Sequence, residues 1–166
     1  MKKIIIDNFL EEEYFNTLQK LFTGPDFTWY YTPNVVYGGE DTYHFFLTHM
    51  IYDFNVALSP HFDILIPLLE KIETENAVRS LVRIRVNFFP HTQTIYEHPM
   101  HVDKDFECSA VVLSLNTCNG YTRLEEDDNK VESIANRALF MDAGKRHCSS
   151  TTTDEKVRFN LTVTYL

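Results

Sequence analysis

The chain has few of the residues that cross-link, interrupt or anchor a protein. Its 166 residues include only 3 cysteines, 5 glycines and 6 prolines. The cysteines are odd in number and lack CxxC spacing, which argues against a disulfide framework and against a zinc site. No apolar run approaches the ~18 residues of a transmembrane helix. The N-terminal run from Ile4 to Ile6 is far too short for a signal peptide.

Positive charge is scarce as well. Lys and Arg total 15 against 24 Asp and Glu, which gives a formal net charge of −9. Binding to a phosphate backbone is driven largely by counterion release from basic patches, so nucleic acid is disfavoured as a partner. Unpaired cysteines without a leader predict a soluble protein of a reducing cytoplasm, with no membrane association. The oligomeric state is left open.

The composition favours a folded protein with a substantial core. Hydrophobic residues make up 44% of the chain and aromatic residues 14%. A chain of this length is near the usual size of one domain, so residues 1–166 are predicted to form a single domain. Residues 1–78 mix helical and strand patterns, while residues 79–166 consist of short strands. This predicts a mainly β fold with flanking helices and a sandwich or jelly-roll core.

Two helices and two strands are predicted in the first part. Asn8 and Glu11 fit a capping box for a helix near 9–22, which Gly24-Pro25 ends. Ser59-Pro60 is predicted to begin a second helix near 60–76, with a kink or restart at Pro67. The two predicted strands are 27–31 and 43–47, which are rich in aromatic residues and threonine.

The second part alternates between strands and turns. Asn119-Gly120 is a strong hairpin signal, and Asp142-Ala143-Gly144 predicts a turn just before His147. The continuous apolar run at 109–115 is typical of a strand covered on both faces. The predicted strands are 80–89, 109–115, 121–124, 130–134, 137–141 and 157–165.

One ordered set of residues carries most of the chemical information. His101-Val102-Asp103 places an imidazole and a carboxylate two residues apart, His147 follows the glycine turn, and Arg158 lies in the last predicted strand. Two imidazoles and one carboxylate are the facial ligand set that binds non-haem Fe(II) and leaves positions open for O₂ chemistry. The planar guanidinium of an arginine matches a carboxylate cosubstrate.

Each of these residues also has a simpler explanation when taken alone. His147 could be a surface histidine in the basic stretch 145–147, and Arg158 could form a cross-strand ion pair. A second HxD tripeptide, His61-Phe62-Asp63, falls in the predicted second helix, where residues two apart do not share a face. We interpret it as a chance occurrence, because no histidine and arginine follow it at the spacings that link Asp103 to His147 (44 residues) and His147 to Arg158 (11 residues). The ordered set favours His101, Asp103 and His147.

Three further aromatic or imidazole side chains stay ambiguous in the sequence. His98 and Tyr96, together with the segment 104–107, could form the rim of a substrate entrance. His98 could equally be an ordinary loop histidine and Tyr96 a core residue. His44 is predicted to pack against its aromatic neighbours.

With these residues in place, the chain resembles the iron(II)/2-oxoglutarate-dependent oxygenases. The resemblance is clearest from Arg83 to the C-terminus, in particular to the compact prolyl-hydroxylase-like branch and to small members encoded by cyanobacterial phages. It implies a double-stranded β-helix, a cupin-like jelly roll, formed mainly by residues ~80–166. It implies that His101, Asp103 and His147 bind Fe(II) and that Arg158 binds 2-oxoglutarate (2OG).

A second likeness is to the alkyl-demethylase branch of the same superfamily. The segments 87–90, 101–105 and 158–162 resemble its NxY, HxDKD and RxNxT motifs. Three positions depart from the family patterns: Phe89 stands where a tyrosine is typical, Thr164 where demethylases have a second arginine, and Leu113 where prolyl hydroxylases often have another tyrosine. Asn87 and Thr162 are therefore the predicted polar partners of 2OG beside Arg158.

The resemblance implies a dioxygenase that uses Fe(II), 2OG and O₂, with no catalytic residue beyond the metal ligands. Its implied substrate is a peptide or protein side chain or a small metabolite, hydroxylated with release of succinate and CO₂. If the protein is phage-encoded, the compartment is the host cytoplasm. The alternatives are a non-catalytic jelly-roll binding or structural module, a nucleic-acid demethylase of the same superfamily, and a cupin-type metalloenzyme without 2OG, which would leave Arg158 unexplained.

Overall fold

Antiparallel strands dominate the residues that the computed structural model describes, which are 3–36, 44–126 and 128–166. The strands are β1 (Ile4–Ile6), β2 (Tyr30–Thr32), β3 (Phe46–Asp53), β4 (Val56–Ala57), β5 (Leu81–Pro90), β6 (Ser109–Ser114), β7 (Cys118–Leu124), β8 (Asn129–Ser133), β9 (Ala138–Asp142), β10 (His147–Ser149) and β11 (Val157–Tyr165). The helices are α1 (Glu12–Thr23) and α2 (Ile66–Glu75), with a 3₁₀ turn at Asp63–Leu65.

The strands form two sheets. The large sheet has the order β1-β9-β6-β11-β5-β3-β2, with β4 paired to β3, and the small sheet has the order β10-β7-β8. Every strand pairing in both sheets is antiparallel. This architecture confirms the predicted jelly-roll core with flanking helices. Strands from the first 78 residues also join the large sheet, among them β1, which the sequence showed only as a short apolar run.

Strand alternation divides the core between two layers. On β6, Val111 and Leu113 belong to the large cluster beneath the helices, which also contains Leu18 of α1 and Leu68 of α2. Their neighbour Val112 points the other way, into a smaller cluster that includes Ala110 of β6, Leu139 and Met141 of β9, and Val131 of β8. Successive side chains of a strand face opposite sides. A strand buried on both faces therefore reads as a continuous apolar run, as predicted for 109–115.

The start of α1 differs from the prediction. Glu11 precedes the helix without a side-chain cap bond, and Asn8 adopts a left-handed conformation with a φ of 51°. The predicted capping box is therefore wrong. The distant residue Asn136 takes over part of its task, because its side-chain Oδ1 accepts from the backbone N–H of Leu10 at 2.9 Å. The predicted end of the helix at Gly24 is confirmed.

The start of the second helix also differs. The Oγ of Ser59 accepts from the N–H of His61 and lies 2.8 Å from Nε2 of His49, so this segment forms a turn and not a helix. α2 begins at Ile66 with Pro67 in its first turn. A proline has no N–H and clashes with the carbonyl four residues earlier, so a continuous helix from Pro60 through Pro67 is excluded. The predicted restart at Pro67 is confirmed.

The predicted hairpin at Asn119-Gly120 is wrong. Both residues lie inside β7, whose pairing with β8 shifts register between Cys118 and Tyr121. A Cβ at position 120 would lie 2.6 Å from Cδ of Arg158 and 2.7 Å from the carbonyl oxygen of Thr151. The glycine therefore permits a close approach of Arg158 to the strand and does not make a turn.

Two smaller differences concern the aromatic strands near the N-terminus. Only residues 30 and 31 of the strand predicted at 27–31 lie in β2, and only residues 46 and 47 of the one predicted at 43–47 lie in the longer β3. Tyr43, the first residue of the second prediction, lies outside the described residues. Neither helix among the described residues is long and apolar enough to cross a membrane.

Candidate metal centre and its pocket

His101 and His147 are brought together by backbone pairing. The two residues form an isolated antiparallel bridge in which each backbone N–H donates to the other's carbonyl at 2.9 Å. His147 begins β10, whereas His101 lies in the connection between β5 and β6 and not in a regular strand. The N–H of Asp103 donates to the carbonyl of Ala143 at 3.0 Å. These bonds fix both ends of the HxD segment beside β10.

The side chains of these three residues converge on one point. One ligand atom from each of His101, Asp103 and His147 lies within 4.8 Å of the others, and this is the only such group found in the described part of the chain. The imidazole ring centroids are 4.7 Å apart, and Nε2 of His147 lies 3.7 Å from Oδ2 of Asp103. Two imidazole nitrogens and one carboxylate oxygen at this separation fit a single divalent first-row ion.

Neighbouring carbonyls orient both rings for metal binding. Nδ1 of His101 donates to the carbonyl of Pro99 at 3.1 Å, and Nδ1 of His147 donates to the carbonyl of Lys145 at 2.9 Å. A proton on Nδ1 leaves the lone pair on Nε2, and in His147 this atom faces Asp103. Burial lowers the pKa of His101, and the nearby His147 lowers it further. The neutral form needed of a ligand is therefore favoured.

Asp103 is held in place by Arg83 of β5. Nη2 of Arg83 donates to Oδ1 of Asp103 at 2.7 Å, which leaves Oδ2 facing His147. Burial alone would raise the pKa of Asp103, but Arg83, with smaller contributions from His147 and other nearby cations, brings it below its ordinary value. The carboxylate is therefore ionised and oriented before any metal arrives.

Arg158 is a buried cation with neutral partners. It is 1% exposed, and its guanidinium donates to Oγ1 of Thr122 at 3.0 Å and to the carbonyl of Ser150 at 3.3 Å. The Phe89 ring lies 5.5 Å from its Cζ. None of the ion pairs among the described residues involves Arg158, so the cross-strand ion pair considered above is not found among them. Burial lowers its pKa to about 10.

Polar side chains form the floor of a pocket beside the cluster. Nδ2 of Asn87 donates to Oδ1 of Asn160 at 2.7 Å and lies 3.2 Å from Oγ1 of Thr162, while Oδ1 of Asn87 is buried without a hydrogen bond. The pocket holds about 390 Å³ of space outside protein atoms, part of it open to solvent. Its walls include Val35, Arg85, Asn87, Phe89, Asp103, Val112, Thr122, Met141, His147, Ser149, Asn160 and Thr162.

The sequence did not single out three residues of this region as site residues. Asn160 is the partner of Asn87, Arg83 binds Asp103, and Arg85 lines the pocket. The sequence pattern that could have identified the two arginines lies on β5, where Arg83 and Arg85 alternate with the buried Ile84 and Val86. Such an alternation places both guanidinium groups on one face of a strand that lies inside the sheet, where charges are rare unless they bind something.

The other histidines lie away from the cluster. His61 packs against Phe27 with ring centroids 5.4 Å apart, so the second HxD tripeptide does not contribute to it. His44 stacks on Tyr96 at 3.6 Å, which confirms its predicted packing role. His98 is only 2% exposed, and its Nδ1 lies 2.9 Å from the carbonyl oxygen of Ser149. The alternative of His98 as a rim residue is therefore wrong, because this interaction holds the ring inside.

The chain matches known proteins in structure and not in sequence. No family model matches the sequence, and no curated protein matches it. A prolyl hydroxylase from Trichoplax adhaerens, in complex with a hypoxia inducible factor peptide fragment, matches with a TM-score of 0.73 and 16% identity over 99% of this chain and 83% of that one. A Pseudomonas putida prolyl-4-hydroxylase matches with a TM-score of 0.68 and 15% identity over 98% and 91%.

A third match is viral. The collagen prolyl hydroxylase of Paramecium Bursaria Chlorella virus-1, solved as a 2OG complex, has a TM-score of 0.64 and 9% identity over 99% of this chain and 96% of that one. At such low identities the likeness concerns the fold. The chain therefore has the double-stranded β-helix fold of the prolyl hydroxylases and 2OG-Fe(II) oxygenases.

Proposed function

We propose that this protein is an Fe(II)- and 2OG-dependent dioxygenase that hydroxylates a peptide or protein side chain or a small metabolite. The observation that carries the proposal is the coincidence of two features. His101, Asp103 and His147 offer three ligand atoms within 4.8 Å of one another. Arg158 lies buried in the same barrel with no carboxylate among its described partners. A facial metal site and an unpaired buried guanidinium are together what an iron ion and a dicarboxylate require.

The three ligands have separate tasks. Nε2 of His101 and of His147 would bind the metal, because the Nδ1 bonds to the carbonyls of Pro99 and Lys145 place a ring proton on Nδ1. Oδ2 of Asp103 would bind it as a carboxylate while Arg83 holds Oδ1. When bound, iron supplies the activation of O₂ that no side chain can provide. The protein contributes the orientation of the ligands and a pocket beside them.

The cosubstrate would be fixed by charge and hydrogen bonds. Arg158 offers a buried guanidinium to the far carboxylate of 2OG, and the hydroxyl of Thr122 beside it is a further polar group there. Asn87 and Thr162 lie on the pocket floor as neutral hydrogen-bonding partners. Phe89 supplies an apolar wall in place of a hydroxyl. We therefore assign 2OG binding to Arg158, Asn87 and Thr162.

The overall reaction balances without any further reductant. One oxygen atom of O₂ enters the substrate as a hydroxyl group and the other enters succinate. The C1 carboxylate of 2OG leaves as CO₂, and the two electrons released by this decarboxylation complete the reduction of O₂. The substrate C–H bond is replaced by a C–O bond.

A single experiment separates this proposal from the two competitors that do not use 2OG. Anaerobic protein is titrated with Fe(II) and then with 2OG, and visible absorption is followed for the metal-to-ligand charge-transfer band of the chelate. We expect a band that requires both additions. Iron binding without a 2OG-dependent band would indicate a cupin-type metalloenzyme, and no iron binding would indicate a non-catalytic jelly-roll module.

A further inference from the structure

A second arginine faces the pocket and is not used by the proposed iron or 2OG site. Arg85 lies on β5 two residues from Arg83 and two from Asn87, so all three share one face of the strand. Arg85 lines the pocket together with Asp103 and His147. Arg83 is engaged by Asp103, whereas no ion pair among the described residues involves Arg85.

The guanidinium of Arg85 lacks the partners that such a group normally has. Its Nε is sealed from solvent and has no hydrogen-bond partner among the described residues. Its Cζ lies 5.5 Å from the ring of Phe46, which offers a π face and not a negative charge. Burial and the neighbouring Arg83 lower its pKa to about 10, and the more weakly acting Asp103 and Asp53 do not cancel this. A buried donor without an acceptor is costly unless a ligand provides one.

Arg85 and Arg158, neither of which has a carboxylate partner among the described residues, lie at separate positions along the sheet. Across the pairing of β5 with β11, Arg158 lies opposite Phe89, while Arg85 lies opposite Thr162. Four residues along a strand correspond to roughly 13 Å. The guanidinium of Arg158 also bonds to Thr122 and Ser150, whereas Arg85 does not bond to either residue. A carboxylate bound at Arg158 is thus separate from one bound at Arg85.

The charged residues that the structure describes around the pocket leave an excess of positive charge. Among its described lining residues, Asp103 is the only carboxylate, and Arg83 already offsets it. The positive charge of a divalent metal and the negative charge of a dicarboxylate cosubstrate would cancel each other. Arg158 adds one more positive charge. Arg85 then contributes a positive charge that the described site leaves unbalanced. An anionic substrate would balance it, and a neutral one would not.

We propose that Arg85 binds an oxyanion of the primary substrate, so that the substrate is a small carboxylate- or phosphate-bearing molecule or an acidic side chain. This inference rests on the proposed function for the identity of the neighbouring metal and cosubstrate sites. It narrows the substrate class from peptides and metabolites in general to those that carry a negative group near the carbon to be hydroxylated.

The test observes Arg85 directly by NMR. Protein labelled with ¹⁵N is loaded with Zn(II) and 2OG, and the Nε–H signal of Arg85 is identified by its loss in Arg85→Lys. Acetate, inorganic phosphate and the neutral acetamide are then titrated separately. We expect a saturable shift of this signal with acetate or phosphate and none with acetamide. The anion that binds more tightly, acetate or phosphate, indicates whether the substrate carries a carboxylate or a phosphate group.

Variants extend the test and provide its control. Arg85→Gln keeps a hydrogen-bonding side chain but removes the charge, and we expect it to weaken anion binding about 10- to 100-fold. Arg85→Lys is expected to retain part of the anion binding that Arg85→Gln loses. Arg79→Gln removes the same charge from an exposed position just before β5 and should leave anion binding unchanged.

Three results would overturn the inference. They are the absence of a saturable shift with either anion, an equal shift with acetamide, and a shift of the Arg85 signal that 2OG alone saturates, which would assign Arg85 to the cosubstrate. Failure of the proposed function would be seen separately. In that case the protein would not bind Zn(II), or the Nε–H signal of Arg158 would not shift when 2OG is added. Turnover supplies a second readout, in which acidic compounds stimulate succinate release more than their amides do.

Discussion

At the scale of single residues, the sharpest consequence comes from Arg158, which is buried with no carboxylate partner among the described residues. Removal of its guanidinium in Arg158→Ala should raise the 2OG concentration needed for turnover by roughly 100-fold or more, because a bidentate charged contact is lost. Metal binding should stay nearly intact. Arg158→Lys should be intermediate, since an ammonium keeps the charge but not the planar fork. Succinate release measured against 2OG concentration is the assay, and an unchanged dependence in Arg158→Ala would contradict the assignment.

The metal ligands make a second residue-scale prediction. Replacement of His101, Asp103 or His147 by alanine should remove most of the affinity for Co(II) or Fe(II), because each residue supplies one of only three protein ligands. His61→Ala is the matched control, since it alters the other HxD tripeptide, which lies outside the cluster. Calorimetric titration of each variant measures the effect. Loss of binding in His61→Ala with retention in His101→Ala would reverse the choice between the two tripeptides.

At the scale of elements, β7 decides whether Arg158 can reach its position. Gly120→Ala would place a Cβ within 2.7 Å of both the Arg158 side chain and the Thr151 backbone. Backbone cannot move aside as a flexible side-chain end can, so we expect a loss of about 1–3 kcal/mol in the free energy of unfolding. Binding of 2OG should weaken in parallel, because the guanidinium must shift.

Gly144→Ala is the control for this prediction. Its Cβ would come no closer than 3.3 Å to Oδ1 of Asp142, the end of a side chain. Urea unfolding and 2OG titration of both variants provide the comparison. Equal stability of Gly120→Ala and the wild type would show that the close approach at β7 does not constrain the fold.

A second element-scale prediction concerns the attachment of the small sheet. Glu97 accepts from the Tyr121 hydroxyl at 2.5 Å and from Nη2 of Arg123 at 2.7 Å, and Nζ of Lys130 lies 3.3 Å away. The hydrogen bond from Tyr121, followed by those from Arg123 and Lys130, lowers the pKa of Glu97 to about 2.

A carboxyl group whose pKa is lower in the folded than in the unfolded protein stabilises the fold at pH values above its unfolded pKa, here near 4.5. This stabilisation is lost as the pH falls towards 2. Glu97→Gln should therefore be less stable than the wild type at pH 7, by an amount that stays constant down to about pH 5 and shrinks below it. Urea unfolding at several pH values measures this difference. The exposed Glu155→Gln serves as control, and a pH-independent difference for Glu97→Gln would exclude the ion-pair explanation.

At the scale of the whole molecule, the net charge of −9 opposes binding to nucleic acid. The basic pair beside His147 does not alter this, because Lys145 pairs with Glu126 at 2.6 Å and Arg146 with Glu125 at 3.5 Å. We expect alkylated or methylated DNA and RNA to leave succinate release unchanged, while pools of peptides or metabolites stimulate it. Stimulation by nucleic acid alone, falling steeply with added salt, would favour the demethylase branch.

The sequence alone determined those features of this protein that depend on local pattern. Alternation and apolar runs predicted most strands and the jelly-roll core, because strand periodicity and burial are visible in consecutive residues. The ligand types and their order in His101, Asp103, His147 and Arg158 predicted a candidate site whose first three members the fold brings together.

Only the tertiary structure decided the features that depend on residues distant along the chain. Asn119-Gly120 has the local chemistry of a hairpin, yet it continues β7 because Arg158 packs against the glycine. The capping box predicted at Asn8 is absent, and the N–H of Leu10 donates instead to Oδ1 of the distant Asn136. Arg83 bonds to Asp103, whereas Arg85, two residues on, meets no carboxylate among its described partners; both outcomes depend on how β5 lies beside the HxD segment. Such contacts are made across the folded core, so no window of consecutive residues contains them.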